Sequence, residues 1–521
     1  MSKETKSIAK SISVLSIAGI ICKVIGVLFS IPLNMISPKV AMLFYLVYPT
    51  YTLLLTVSSA GLPVAISRLI AGYLARKQAS NARKTFATAL MLLFSIGAMF
   101  SLIMVLTNTA LTNMVGVKEA SQGFYAISPC VMIVCILSAF RGYFQGHQNM
   151  VPTAVSQVIE QVGKVILSLP LAVIGLKRDV AHGAAGALLG ITIAESIALV
   201  FMIIRYYRRK EVEEKENSDV TAARRSDLIK TLTLISIPIT ISACIIPLSQ
   251  FIDSAMMIKR MLLAGLTQAE AEASYGIFTS IVIRLINIPT ALALAISMSL
   301  VPAISACKSI NDTEGIRKES HTGIRYAALI GFPCSVGMSV LAKEIVLFIY
   351  GNVSKFTSAN LHLASELLTF SAMTVVLFTG VQATSSILQG LRRQKIPMYT
   401  MIAGVAIKIV LNYFLIGTKG IDIHGGPYAS IACYLTVLIL NLIYVCKYAE
   451  LKFDIVRWVV KPGLAAAAMG LAVYIMKTVL PAGRLVTILE IVVGIAVYLG
   501  AAILLKALTK EDLASLRRKK V

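Results

Sequence analysis

Fourteen apolar stretches of about 20 residues or more follow one another along this chain of 521 residues. A membrane-spanning α-helix needs about 20 mostly apolar residues, whereas the strands of an outer-membrane barrel alternate in polarity over about ten residues. The pattern therefore predicts an all-α polytopic membrane protein. The predicted spans are 12–35, 41–72, 84–107, 122–145, 152–175, 183–206, 231–254, 274–306, 321–348, 360–390, 396–417, 424–447, 459–480 and 485–506.

The composition excludes a water-soluble protein. Hydrophobic residues make up 57% of the chain and charged residues 14%, whereas soluble domains carry about 25% charged residues. The loops between the spans are too short for a catalytic domain of about 100 residues. Phosphate-binding Gly-x-x-x-x-Gly-Lys-Ser/Thr loops, His-Glu-x-x-His motifs and Asp-rich clusters are also missing from the sequence. We therefore expect no enzyme activity, no catalytic residues and no bound metal.

The basic residues predict the orientation in the membrane. Of the 49 Lys and Arg residues, 32 lie on the side that holds the N-terminus and 11 on the opposite side. By the positive-inside rule the first side is cytoplasmic, so both termini are expected there. Most of the net charge of +24 comes from the basic residues that predict this orientation. It favours anionic lipid headgroups as partners and not nucleic acid.

Two parts of the chain repeat the same motif. A Gln-Gly pair precedes a lysine by 19 residues in both, from Gln145 to Lys164 and from Gln389 to Lys408. The alternative is that Gln-Gly is only a signal for a helix to stop and restart. A duplication of six spans would keep the orientation, and so predicts a parallel repeat. The predicted domains are a six-helix half with a cytoplasmic linker (1–230), a second six-helix half (231–452), and spans thirteen and fourteen with a basic tail (453–521).

Charged side chains lie near the middle of several spans. Each costs about 2.5–3.5 kcal/mol on insertion scales, so it normally faces a wet cavity or a partner. Glu160 and Lys164 are four residues apart and can pair on one helix. If all of these groups are ionised, the net charge is positive, which suits an anionic substrate such as a phosphate. The cations are Lys23, Lys164, Arg284 and Lys408, and the acids are Glu160 and Glu195.

A bundle of two halves with short loops is typical of secondary transporters, in which the substrate sits at mid-membrane. Gly61 and Pro63 in span two and Pro289 in span eight interrupt their helices and are candidate hinge or gating positions. Asp253, near the outer end of span seven, is a candidate ligand for a coupling ion. Coupling to Na⁺, to H⁺ or to the membrane potential all stay open, and we expect no other cofactor.

Two sets of six spans followed by two further spans form an arrangement that resembles that of the multidrug/oligosaccharidyl-lipid/polysaccharide transporter superfamily. Within it, the chain is similar to the MurJ-type lipid II flippase family and most of all to the stage V sporulation protein B and YtgP group. The resemblance covers nearly the whole chain. It is carried by Tyr48-Pro49-x-Tyr51, Ser59-Ala60-Gly61-Leu62-Pro63-x-Ala65-Ile66-Ser67, Arg141-Gly-x-x-Gln145-Gly146, Gln250-x-x-Asp253-Ser254, Leu300-Val301-Pro302 and Leu388-Gln389-Gly390.

The resemblance implies a flippase in the bacterial plasma membrane. Its substrate would be an undecaprenyl-diphosphate-linked oligosaccharide, above all the peptidoglycan precursor lipid II, moved from the inner to the outer leaflet by alternating access. Lys23 and Arg284 would bind the diphosphate, with Lys164 and Lys408 in support. Cell-wall synthesis or sporulation proteins are the implied protein partners.

Some positions depart from the family pattern. Lys23-Val-Ile-Gly26 fits the family's basic residue before x-x-Gly. The family's Arg-x-x-Glu-x-Pro is matched from Arg284 to Pro289, with Asn287 in place of the glutamate, and Asn287 is therefore another candidate substrate contact. Phe29 and Thr56 fall where the family has arginines.

Three alternatives stay open from the sequence. A cation-coupled multidrug exporter of the same fold would need a cavity dominated by acids and aromatic rings, whereas the deep positions here favour Lys and Arg. A flippase for another polysaccharide precursor would share the cationic site. A scaffold for cell-wall enzymes would not need the charged residues at all.

Overall fold

The computed structural model describes residues 21–22, 25–26, 28–208, 223–351, 356–481 and 483–508, and these are helical and contain no strand. Two π-helical segments, Ile277–Val282 and Val456–Val460, precede the eleventh and eighteenth helices, and a short 3₁₀ helix is Asp422–His424. The α-helices are α1 Ser30–Ile36, α2 Pro38–Ser59, α3 Leu62–Ala75, α4 Ala79–Leu106, α5 Asn108–Val115, α6 Ala120–Gly146, α7 Val151–Leu176, α8 Val180–Tyr207, α9 Arg225–Leu263, α10 Gln268–Gly276, α11 Ile283–Ser309, α12 Thr313–Val340, α13 Ala342–Tyr350, α14 Ser358–Ser371, α15 Met373–Gly390, α16 Lys395–Ile416, α17 Gly425–Tyr448, α18 Lys461–Val479 and α19 Arg484–Leu504.

Twelve helical stretches among the described residues are long and apolar enough to cross a membrane. The prediction of an all-α multi-pass membrane protein is therefore confirmed. Half of the first predicted span, 12–35, lies outside the described residues. The eighth, 274–306, is helical as well and corresponds to α11 and the π-helical segment before it.

The second predicted span is broken into two helices. α2 ends at Ser59 and α3 begins at Leu62. At the break, the backbone N–H of Gly61 donates a hydrogen bond to Oγ1 of Thr240 on α9 (3.1 Å). A Cβ atom at position 61 would overlap the carbonyl oxygen of Ser236. Glycine is thus required here by the close approach of α9, since its backbone angles are ordinary (φ −85°).

The chain divides into two compact units, Met1–Lys259 and Arg260–Val521. The division falls inside α9, whereas the predicted halves meet between 230 and 231. In the first unit, α6 packs against α2, α3, α4 and α8. In the second unit, α15 packs against α11, α12 and α17, and α18 packs against α12 and α19. α6 and α15 each pack against at least three helices of their unit, and we call them the two central helices.

The ends of the two central helices have the same surroundings. A Cβ atom added to Gly146, the last residue of α6, would lie 2.8 Å from the Cβ atom of Ile70 on α3. One added to Gly390, the last residue of α15, would lie 2.8 Å from the Cβ atom of Ile304 on α11. Small residues let membrane helices approach closely. The repeated Gln-Gly motif therefore marks equivalent helix contacts in both units.

Replacement of Gly61 by alanine should lower the melting temperature of the purified protein in detergent. The added methyl group meets backbone atoms of α9, and forcing such a group into a packed site costs about 1–3 kcal/mol. Gly72→Ala on α3 is the matched control, because that glycine has open space around it and alanine favours a helix. Equal melting temperatures for the two variants would contradict the close contact.

Candidate functional site

An ion pair joins the two helices that follow one another in the first repeat. The Nη2 atom of Arg141 on α6 lies 3.0 Å from Oε2 of Glu160 on α7. The Nε atom of Arg141 donates to Oγ of Ser156 (3.0 Å), and Nε2 of Gln161 donates to Oε1 of Glu160 (3.0 Å). The two charged side chains are only 14% and 21% exposed. This is a partly buried ion pair with hydrogen bonds on both members.

A second acid comes from the next helix. Glu195 on α8 is 3% exposed, and its Oε2 atom is buried without a hydrogen-bond partner among the described residues. It interacts electrostatically with Glu160, Arg141 and Lys164. We call these four residues the first-unit charge cluster. With all four ionised, the cluster carries no net charge, and protonation of one acid leaves it with a net charge of about +1.

Aromatic rings surround the cation of Lys164. Its Nζ atom lies 4.8 Å from the ring centroid of Phe29, 5.4 Å from that of Phe44 and 5.1 Å from that of Tyr48. Phe29 and Phe44 are buried, so this face of the ammonium group is shielded. Cation–π contacts of this kind contribute about 0.5–2 kcal/mol each. They help to position the ammonium group within the first-unit charge cluster.

Arg284 lies in the second unit, directly after a π-helical segment. Single π-helical turns are often found at functional sites. The Nε atom of Arg284 donates to the backbone carbonyl of Thr279, five residues earlier (3.3 Å). Asn287 and Pro289 follow on the same helix, α11. Arg284 and Asn287 are both half-buried.

The position equivalent to Arg141 has a neutral network in the second unit. Asn441 on α17 is fully buried; its Nδ2 donates to Oγ of Ser385 (3.0 Å), and its Oδ1 accepts from Oγ1 of Thr400 (2.7 Å). When Gln145 of the first repeat is aligned with Gln389 of the second, Arg141 aligns with Ser385 and Ser156 aligns with Thr400. The two repeats thus keep a polar connection between the same helices with different chemistry.

The remaining candidates lie on other elements. Lys408 is half-buried on α16, and Asp253 is half-buried on α9. Lys23 lies outside the described residues. The structure brings Glu160, Glu195 and Lys164 together in the first unit, and places Arg284, Asn287 and Pro289 on one helix of the second.

Two features of the site were missed from the sequence. Arg141 belongs to the motif Arg141-Gly-x-x-Gln145-Gly146, but it is not among the deep cations that the sequence predicts. The rings around Lys164 come from α2 and from the residue before α1. No spacing along one helix relates them to Lys164, so only the packing of helices reveals the contact.

Comparison with known proteins gives two family matches. The model of the family described as polysaccharide biosynthesis protein matches residues 8–308. The model described as MatE matches residues 238–414. The first match covers more than half of the chain.

Relatives match over most of their length. Lipid II flippase MurJ of Bacillus subtilis (strain 168) is 27% identical, and the match covers 93% of each chain. Stage V sporulation protein B of the same organism is 26% identical over 87% of this chain and 86% of its own. A solved structure of lipid II flippase MurJ in an inward closed conformation has a TM-score of 0.71 with 14% identity, over 94% of this chain and 97% of its own. The resemblance drawn from the sequence motifs is confirmed.

A double-mutant cycle should detect the ion pair between Arg141 and Glu160. Removing one partner leaves an uncompensated charge, at a cost of about 3–5 kcal/mol in a buried pair. Arg141→Gln and Glu160→Gln should therefore each lower the melting temperature, and the double variant should lower it by less than their sum. The exposed pair of Arg317 and Glu450 (3.4 Å) is the control, with additive effects. Additive effects at Arg141 and Glu160 would show that the pair is not coupled.

Proposed function

This chain belongs to the polysaccharide biosynthesis protein family, and we propose that it is a flippase for an undecaprenyl-diphosphate-linked oligosaccharide, with lipid II as its substrate. The observation that carries the proposal is the match to lipid II flippase MurJ over 93% of both chains. The protein would move its substrate from the inner to the outer leaflet of a bacterial plasma membrane, with both termini in the cytoplasm. The proposed flippase could act during vegetative growth or during sporulation.

Cations on membrane-spanning helices support an anionic substrate. Phosphate oxygens form short, charge-assisted hydrogen bonds with Lys and Arg. The contact of Arg284 Nε with the Thr279 carbonyl orients its planar guanidinium group, which favours bidentate binding of a diphosphate. Lys164 and Lys408 are proposed to support the binding of the anionic substrate. Lys23 and Asn287 complete the proposed substrate contacts.

The first-unit charge cluster supports coupling to protons. A carboxylate that is buried beside another carboxylate is destabilised in its charged form, and Oε2 of Glu195 has no hydrogen-bond partner among the described residues. Uptake of H⁺ by Glu195 would leave the charges of Arg141 and Lys164 in excess. The cluster would then attract a diphosphate more strongly than in its deprotonated state. Asp253 stays a candidate ligand for Na⁺ in place of H⁺ coupling.

Leaflet exchange of labelled lipid II in proteoliposomes tests the function. Arg284→Ala and Lys23→Ala should each reduce exchange to below about a tenth of the wild-type rate, because loss of one charge-assisted contact is worth about 1.5–3 kcal/mol. Protein level and melting temperature should stay unchanged. Lys419→Ala, at an exposed lysine of the same unit, should exchange lipid II at the wild-type rate.

Other outcomes would identify a different function. Exchange of other undecaprenyl-linked glycans without exchange of lipid II would correct the substrate. Efflux of cationic dyes from cells would favour a cation-coupled multidrug exporter, to which the MatE match over residues 238–414 also points. Normal growth or sporulation with a Lys23→Ala/Arg284→Ala protein would favour a scaffold without transport.

The pH dependence of exchange tests proton coupling. Glu195→Gln mimics the protonated acid, so its exchange rate should no longer depend on pH, whereas the wild-type rate should. Glu366→Gln, at an exposed acid of the second unit, should keep the wild-type profile. A wild-type profile in Glu195→Gln would exclude Glu195 as the coupling group.

A further inference from the structure

The chain contains a single tryptophan, and it lies directly before α18. Trp458 belongs to the π-helical segment Val456–Val460 and is 2% exposed. It packs in an apolar cluster with side chains of α11, α12, α15 and α17. Its Nε1 atom is buried without a hydrogen-bond partner among the described residues. Packing contacts therefore hold the indole ring, and with it the start of α18, in the second unit.

A histidine of α12 packs against this ring. The ring centroids of His321 and Trp458 are 5.5 Å apart, with an angle of 56° between the ring planes. Phe453 also contacts the indole ring, edge to face (5.5 Å, 88°). The side chain of His321 is 25% exposed, so protons can reach it. Histidine changes its charge between about pH 5 and 8, and a change of pH can therefore change the charge beside Trp458.

The carboxylate beside His321 is already engaged by another group. Oδ2 of Asp454 lies 3.6 Å from Nε2 of His321 and 3.3 Å from Nε of Arg457. Oδ1 of Asp454 accepts a hydrogen bond from the backbone N–H of Arg457 (3.0 Å), and this bond holds the pKa of Asp454 below its ordinary value. Asp454 is thus ionised at neutral pH, and Arg457 already opposes its charge.

The groups around the imidazole carry a net positive charge. Arg325, one turn further along α12, and Arg457 act on it as cations, and Asp454 acts on it as an acid. Arg317, one turn earlier on α12, pairs with Glu450 (3.4 Å) and adds no net charge. Two cations and one anion sum to +1, so a proton on the imidazole raises the sum to +2. Like charges at close range oppose this protonation.

We propose that His321 is a pH-sensitive latch for the last two helices, α18 and α19. While the imidazole is neutral, it packs against Trp458, and the start of α18 is held on α12. Uptake of a proton places a charge beside a buried ring and two arginines, which favours release of Trp458 from its cluster. The latch therefore closes as the pH rises and opens as the pH falls. It concerns the attachment of α18 and does not depend on the proposed flippase activity.

Tryptophan fluorescence of the purified full-length protein in detergent tests the latch, because Trp458 is the only source of this emission. From about pH 8 to pH 5, the wild-type emission should weaken and shift to longer wavelength, and quenching by acrylamide should increase, because the ring becomes accessible to water. In His321→Gln, which stays neutral, all three should stay constant. His362→Gln, at an exposed histidine of α14, is the matched control and should respond like wild type.

Two further variants test the role of the charges. Asp454→Asn removes the acid but keeps a side chain that can cap the helical segment, so the midpoint of the emission change should move to lower pH. Arg457→Gln removes a cation, so the midpoint should move to higher pH. Each shift should be about one pH unit. The opposite signs separate a charge effect from a loss of packing, which would affect both variants alike.

Several results would overturn the latch. One is a wild-type emission that does not change with pH, and another is a wild-type response in His321→Gln. An emission that weakens without greater quenching by acrylamide would show that Trp458 stays buried when His321 gains a proton. Shifts of the same sign in Asp454→Asn and Arg457→Gln would exclude the charge mechanism. Melting temperatures equal to that of wild type at about pH 8 would show that the variants are folded.

Discussion

The arrangement of the charged residues in the first unit depends on one ion pair between two membrane-spanning helices. Arg141 and Glu160 meet between α6 and α7, where both side chains are largely buried and a buried charge needs a partner. Ser156 and Gln161 satisfy further atoms of the pair. Glu195 then enters an environment that already holds one carboxylate. Glu160 and Glu195 balance the charges of Arg141 and Lys164 when all four are ionised, and the ion pair itself connects two helices.

The two repeats solve the same packing problem with different chemistry. Gly146 and Gly390 end equivalent central helices in equivalent contacts, so the helix arrangement tolerates little change there. In the second unit the residue equivalent to Arg141 is Ser385, which accepts a hydrogen bond from Asn441. A neutral amide cannot change its charge with pH. At this position the first repeat therefore holds ionisable side chains and the second holds neutral ones, while Arg284 is a cation elsewhere in the second unit.

The sequence alone predicts the membrane-spanning helices well, because a helix in lipid must be long and apolar. It also predicts Lys164, Glu160 and Glu195 as deep residues, since their distance from the span ends can be counted. Arg141 lies only a few residues from the end of its span, and sequence distance does not show that Glu160 draws its guanidinium group inward. The sequence predicts the interruption at Gly61 but not its close packing, because this depends on the approach of Ser236 from a helix about 175 residues away.

Phe29 stands where the resemblance to the flippase family predicts an arginine, and it contacts the cation of Lys164 instead of supplying one. An arginine at position 29 would place a positive charge beside Lys164 and repel it. The phenyl ring instead lies 4.8 Å from the ammonium group of Lys164 and attracts it. The positive charge near this point of the first unit is then carried by α7 and not by the residue before α1.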